Sequence, residues 1–245
     1  MTKITLYDSD CRINNLLYIK NSLSELFSHA GATAETSSAD KRAKLSVEFP
    51  DYYEDIVRAE ISDRLGEVIA VNYKYEYFKS LIKVSGLTAT ENEILLASLI
   101  AADLPEDAGY AAERFKDVRD TAIDGIFNFR LQPLKNKWKD IASYMPDVFM
   151  NSQLKDFISY LLENKKKRVY VDNGKVYDSH YRRLKRCELL SGNDAIIVRE
   201  VILSNCGEVE LAGKVDETDE KYLKEYYGDK IFFSTENVKS KCEKS

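Results

Sequence analysis

Apolar residues alternate with polar ones at the start of the chain. Over Ile4 to Tyr7 they recur every second position, which predicts a short strand. A period of three to four follows on Ile13, Leu16, Leu17, Ile19 and Leu23, a helix that Asp8 or Asp10 can cap. Gly31 to Lys41 is rich in Ala, Thr and Ser and reads as an exposed connector. Leu45, Val47 and Phe49 alternate again, and Pro50 ends that strand.

From Asp51 the helical period takes over. Val57, Ile61, Leu65 and Val68, continued by Val71, Tyr75, Phe78 and Ile82, predict a helix of about 30 residues that bends at Gly66. Thr90 and Glu93 match a capping box ahead of Ile94, Leu95 and Leu99. Pro105 opens the next helix, whose apolar positions are Ala111, Phe115, Val118, Ala122, Ile126 and Phe129, with Pro133 as its stop. Phe129→Ala is therefore expected to cost about 3–5 kcal/mol, and the end around Asp124 to Arg130 to be less exposed than a surface helix end. Helices over 134–144 and 152–165 follow. Asn173-Gly174 between Arg168–Asp172 and Lys175–Asp178 is the strongest hairpin signal in the chain. A helix at 194–203, a strand at 209–211, a helix at 216–227 and a strand at 230–233 complete the pattern.

The expected fold is α+β: a predominantly helical middle flanked by short strand–helix–strand elements at both ends, with one basic β-hairpin. The two sets of strands can join in one small sheet if the chain ends meet. The expected organisation is one domain over 1–233, with a start at 1–50, a helical core at 51–166, the hairpin at 167–180 and a helix–strand–helix–strand end at 190–233. Residues 234–245 read as a flexible tail.

Composition narrows the function classes. Apolar residues make up 44% of the 245 and charged residues 31%, which excludes a disordered or collagen-like chain. No apolar run approaches the roughly 18 residues of a membrane helix, and the first residues lack a signal-peptide pattern. Cys11, Cys187, Cys206 and Cys242 are scattered and share no metal-ligand spacing. Reduced thiols, a cytoplasmic location, no membrane insertion, no metal site and no cofactor are expected. The only histidines, His29 and His180, sit in no hydrolase or metalloprotease motif, and the glycines form no phosphate-binding loop. The expectation is a protein that is not an enzyme.

Charge is unevenly spread. Lys165 to Arg186 holds nine basic residues against Asp172 and Asp178, a segment charge of +7 in a chain of net −5. Tyr170, Tyr177 and Tyr181 interleave with them, and Tyr can stack on bases while Lys and Arg neutralise phosphates. Lys166, Lys167, Arg168, Tyr170, Arg182 and Arg183 are the candidate binding residues. A winged helix-turn-helix is disfavoured because its recognition helix, 151–163, would carry only Lys155 as a base. The plainer alternative is a hairpin paired with acidic surface elsewhere. Glu113, Asp117, Asp120 and Asp124, with Asn128, would form a polar stripe on the helix begun by Pro105, within about 80° of one face. It reads as a solvated face, with Mg²⁺ or Ca²⁺ binding the alternative. Asn128 and Arg130 are candidates either for ligand binding or for internal polar anchoring, with Arg130 bridging to Asp124.

Four strings carry a resemblance: Asn72-Tyr73-Lys74-Tyr75-Glu76-Tyr77-Phe78, Ala122 through Leu131, the helix at Gln153 to Leu162, and Tyr227-Gly228-Asp229-Lys230-Ile231. By these the chain resembles the YtxC-like family of sporulation proteins of Firmicutes over most of residues 1–233. The resemblance implies a cytoplasmic, sporulation-associated protein and carries over no catalytic residues. The resulting expectation is a non-catalytic binding or scaffold protein with an unidentified protein partner. The alternative is a nucleic-acid-associated factor using 165–186.

Overall fold

Strand β1 (Thr2–Ser9) buries Ile4, Leu6 and Asp8 on one face, and the chain then enters helices α1 (Ile13–Ser22) and α2 (Ser24–His29). Strands β2 (Thr33–Ala39) and β3 (Arg42–Phe49) form a hairpin. The long helical run is α3 (Glu54–Val68), a π-helical turn at Ile69–Tyr73, and α4 (Lys74–Leu81). Then come α5 (Ala89–Ala101), α6 (Leu104–Glu113), β4 (Asp120–Ala122), α7 (Ile123–Arg130), α8 (Gln132–Ser143) and α9 (Asn151–Leu161). The last elements are β5 (Arg168–Asp172), β6 (Lys175–Tyr177), α10 (Ile196–Leu203), β7 (Glu208–Ala212), α11 (Glu217–Tyr227) and β8 (Ile231–Ser234). This computed structural model describes residues 1–117, 119–235 and 238. Val118, Cys242 and most of the expected tail lie outside the described residues.

The fold is α+β, with two mixed four-stranded sheets among the described residues. Where the sequence reads as one domain over 1–233, contacts gather in two compact units, Met1–Tyr77 with Leu104–Ser143 and Phe78–Asp103 with Tyr144–Ser245. The strand pairs at the two chain ends do not join in one sheet. Both edges of β1 are taken by β3 and β4, and both edges of β7 by β5 and β8.

In the first unit the strand order is β2-β3-β1-β4. Leu6 faces Leu45 and Ile4 faces Val47 across the antiparallel β1–β3 ladder. This register puts the apolar sets of both strands on one face. Strand β2 replaces the expected connector. Its Thr, Ser and Glu carry no apolar alternation, so its strand character comes from the free edge of β3. Asp40 and Lys41, both at positive φ, make the two-residue turn. The long helix is present as expected, but Gly66 does not bend it. A Cβ there would meet the Ala108 carbonyl oxygen at 2.4 Å, so Gly66 is the point where α6 crosses α3. The irregularity falls on the π-helical turn instead.

The expected helix from Pro105 to Leu131 is three elements. Helix α6 stops at Glu113, β4 pairs in parallel with Thr5–Tyr7 of β1, and α7 starts afresh. A three-residue strand is too short to display a period of two, and its pairing partner is more than 110 positions away in sequence. Pro133 lies in the first turn of α8, where its missing N–H costs little, so it does not close the preceding helix. Phe129, expected in the core, is 84% exposed, and Asn128 and Arg130 are exposed beside it. The buried residue of α7, Ile123, lies off the expected face, while Phe127, also off it, and Ile126, on it, are both half-buried. Phe129→Ala is accordingly expected to change stability by no more than about 0.5 kcal/mol. A loss above about 2 kcal/mol in urea titration would contradict this placement.

The second unit has strand order β6-β5-β7-β8, with β5, β7 and β8 parallel and β6 antiparallel. Helix α5 is buried along most of its length, with α9 and α10 packed on it. Its capping box is Thr88 with Glu91, two residues earlier than expected, because the chain offers the same Thr-x-x-Glu pattern twice. Asp216 caps α11 by accepting the N–H groups of Thr218 and Asp219.

Candidate functional site

The basic segment does not project as a free wing. Strand β5 lies inside the second sheet, with Val169 and Val171 buried and Asn173-Gly174 forming the expected two-residue turn. Arg168 is consumed internally. Its guanidinium bonds Glu208 at 2.7 Å and Glu210 at 3.3 Å and lies 4.4 Å above the Phe232 ring. Arg186 turns inward, its guanidinium donating to the Leu203 carbonyl. Arg183 pairs with Glu188 at 3.5 Å, both side chains remaining half exposed.

The remaining cations are gathered by backbone geometry. Register pairs Tyr170 with Tyr177, which puts Asp178 level with the start of β5. The Asp178 carboxylate accepts the N–H groups of His180 and Arg182 at 2.8 and 2.9 Å, closing a tight turn. The chain then doubles back, with Arg183 bridged to Tyr177 and the Leu184 N–H bonded to Val176. The Tyr181 ring lies tilted against that of Tyr170, with ring centres 5.0 Å apart. Arg182 therefore returns to the end of the sheet from which Lys165, Lys166 and Lys167 emerge. These four side chains are exposed and make no ion pair among the described residues.

Their loop is held firmly. The Gly207 N–H donates to the Lys167 carbonyl at 3.0 Å. A Cβ on Gly207 would sit 2.1 Å from the Lys165 carbonyl oxygen, so glycine alone permits this close approach. Lysine side chains on a pinned backbone lose less freedom on meeting a phosphate chain than side chains on a free loop.

The other expected residues belong to the first unit. Asn128 and Arg130 are exposed, and no bond joins Arg130 to Asp124. Asp124 pairs with Arg42 of β3 instead, and that hydrogen bond holds its carboxyl below the ordinary range. The acidic stripe is dispersed: Glu113 ends α6, Asp117 lies in a turn, Asp120 is in β4 and Asp124 opens α7. Among the described residues, no group of three or more His, Cys, Asp or Glu is placed to hold a metal ion. No described helix is long and apolar enough to cross a membrane.

Two buried polar clusters in the first unit were not foreseen. At the end of β1, Asp8 accepts from Tyr73 Oη at 2.8 Å and Asn15 Nδ2 at 2.9 Å, and burial pushes its carboxyl up. Phe127 packs on Tyr73 with ring centres 4.6 Å apart, so the Tyr-rich string and the Asp124–Leu131 string meet here. Elsewhere in the same unit, the Asp107 carboxylate accepts from Lys74, Lys137 and Trp138. Tyr73 and Lys74 are neighbours at the π-helical turn, and the helix pattern gave no sign of that turn. Both clusters are closed arrangements of satisfied partners, which is the mark of structural anchoring.

Compared with profiles of known protein families, with curated proteins and with solved structures, the chain matches none.

Proposed function

We propose that this is a non-catalytic cytoplasmic binding protein that engages nucleic acid through Lys165, Lys166, Lys167 and Arg182. The observation that carries this reading is that four exposed cations without internal partners share one end of the second sheet, the three lysines on a backbone that Gly207 holds in place and Arg182 on the turn closed by Asp178. Phosphates would be met by the cations. The adjoining Tyr170–Tyr181 pair offers an aromatic edge to an unpaired base. An association with sporulation is also proposed and rests on the resemblance alone.

Binding of labelled single-stranded RNA and of duplex DNA, followed by fluorescence anisotropy, tests this. Four phosphate contacts predict binding weaker by roughly 50-fold for the single strand and roughly 150-fold for the duplex between about 50 and 200 mM salt. Changing Lys165, Lys166, Lys167 and Arg182 together to Gln should remove most of that salt dependence while leaving the fold intact. Arg168 stays out of the set because its loss would break its ion pairs with Glu208 and Glu210. If the wild-type protein binds neither probe at about 50 mM salt, the reading is abandoned.

A further inference from the structure

Beyond the carboxyl ends of the parallel strands β5 and β7 lies a cleft of 460 Å³. Ligands of open parallel sheets bind in this position, because loops diverge there and helix N-termini converge. One wall is the loop after β7, with Lys214, Val215 and Asp216, and the others include Asn193, Ile196 and Asp219. All of these belong to the second unit.

The cleft is chemically mixed. Asp219 is 1% exposed and accepts the Val198 N–H at 2.8 Å, capping α10 from a neighbouring helix. Its backbone N–H donates to the Asp216 carboxylate at 3.0 Å, and both side chains line the cleft. Burial, and the contact with Asp216, push Asp219 up to about 7, whereas Asp216 stays below the ordinary range and is ionised. Near neutral pH the pair therefore holds between one and two negative charges. Lys214 is exposed and, like Asn193, has no hydrogen-bond partner or ion pair among the described residues. Ile196, 40% exposed, and Val215 supply apolar surface.

A ligand of one charge sign meets a like charge in this cleft: an anion faces Asp216, and a cation faces Lys214. A small zwitterion meets a partner at each end. We propose that the cleft binds a free α-amino acid, its ammonium group on the Asp216–Asp219 pair, its carboxylate on Lys214, and its side chain against Ile196 and Val215. An ammonium group favours the fully ionised pair, so binding releases the proton held on Asp219. Affinity should then rise between about pH 6 and pH 8.

The test is a two-dimensional ¹⁵N–¹H spectrum of the full chain titrated with each of the common amino acids to about 10 mM. For the best binder, the amine and the carboxylic acid that each lack one charged end serve as controls. The expected result is movement of the Gly174, Val198 and Val215 amide signals by at least one amino acid, and binding about tenfold weaker by both controls. Asp216→Asn keeps a competent helix cap, and Lys214→Gln alters an exposed side chain, so both variants should fold. Each should weaken binding about tenfold or more, equivalent to about 1.4 kcal/mol. The proposal is overturned if no amino acid moves those signals, if either control binds as tightly as the zwitterion, or if both variants bind like the wild type. It is independent of the nucleic-acid reading, whose residues lie at the opposite end of β5.

Discussion

Asp107→Ala is expected to cost about 3–5 kcal/mol, one of the two largest single-residue effects in the chain. Lys74 is 0% exposed and Asp107 1%, and their charged atoms are 2.8 Å apart. Lys137 reaches the other carboxylate oxygen at 2.7 Å, and Trp138 donates its indole N–H at 2.8 Å. Removing the carboxylate takes away the negative charge 2.8 Å from a buried ammonium and the acceptor of the buried Trp138 N–H. Replacing Lys74 by Met in the same protein should recover part of the loss, because the buried positive charge is then gone.

Acidification should act through the same group. Burial raises the Asp107 carboxyl, but Lys74, Lys137 and the Trp138 N–H reverse this, and the net shift is downward. A group with a depressed folded pKa stabilises fully above its unfolded value, about 3.9 for Asp, and loses that contribution as pH falls through the folded value. The wild-type protein should lose stability over that acid range, and Asp107→Ala should lose less of its own. Trp138 is the only tryptophan and belongs to the same unit, so urea unfolding followed by its fluorescence reads this unit directly. A cost below about 1 kcal/mol would show that the pair is not the buried anchor described here.

Phe115→Ala should cost a comparable 3–5 kcal/mol or so. Phe115 is 0% exposed and sits just beyond α6, where its carbonyl accepts Ser62 Oγ at 2.9 Å. The tie from α3 fixes the chain as it leaves the helix, so the ring cannot be replaced by a simple inward shift. Together with Phe129→Ala, which should be close to neutral, this substitution distinguishes a helix that ends at Glu113 from one that continues to Leu131. Equal costs for the two aromatics in urea titration would favour the continuous helix.

The difference between these two phenylalanines shows where reading the chain alone stopped working. Ala111 and Phe115 are four apart and both fully buried, as a helical face requires. Extending the same period by fourteen positions reached Phe129, but the helix had already ended. Polar and apolar spacing stayed compatible with a helix through Asp117, Asp120 and Asp124, so nothing local marked the change. What marks it is the open edge of β1, which takes up Asp120–Ala122. The acidic stripe was lost for the same reason. In the candidate sites, the hairpin and its charge were legible from Asn173-Gly174 and the run of lysines. Which cations remain available was not, because Glu208 and Glu210 reach Arg168 only through the β5–β7 pairing. Of the Asp216–Asp219 pair, the pattern showed only that a helix begins at Asp216.

By itself the chain's pattern determined the α+β class, the alternation of β1 and β3, the long helical run, the two-residue hairpin turn and the helix begun by Asp216. Each follows from local preferences of backbone and side chain, expressed within a few residues. Tertiary structure alone decided the edge strand β2, the parallel strand β4, the division into two units, the Lys74–Asp107 anchor and the cleft beyond β5 and β7. These depend on groups far apart in sequence that satisfy one another only once the chain has folded, and a local period carries no record of them.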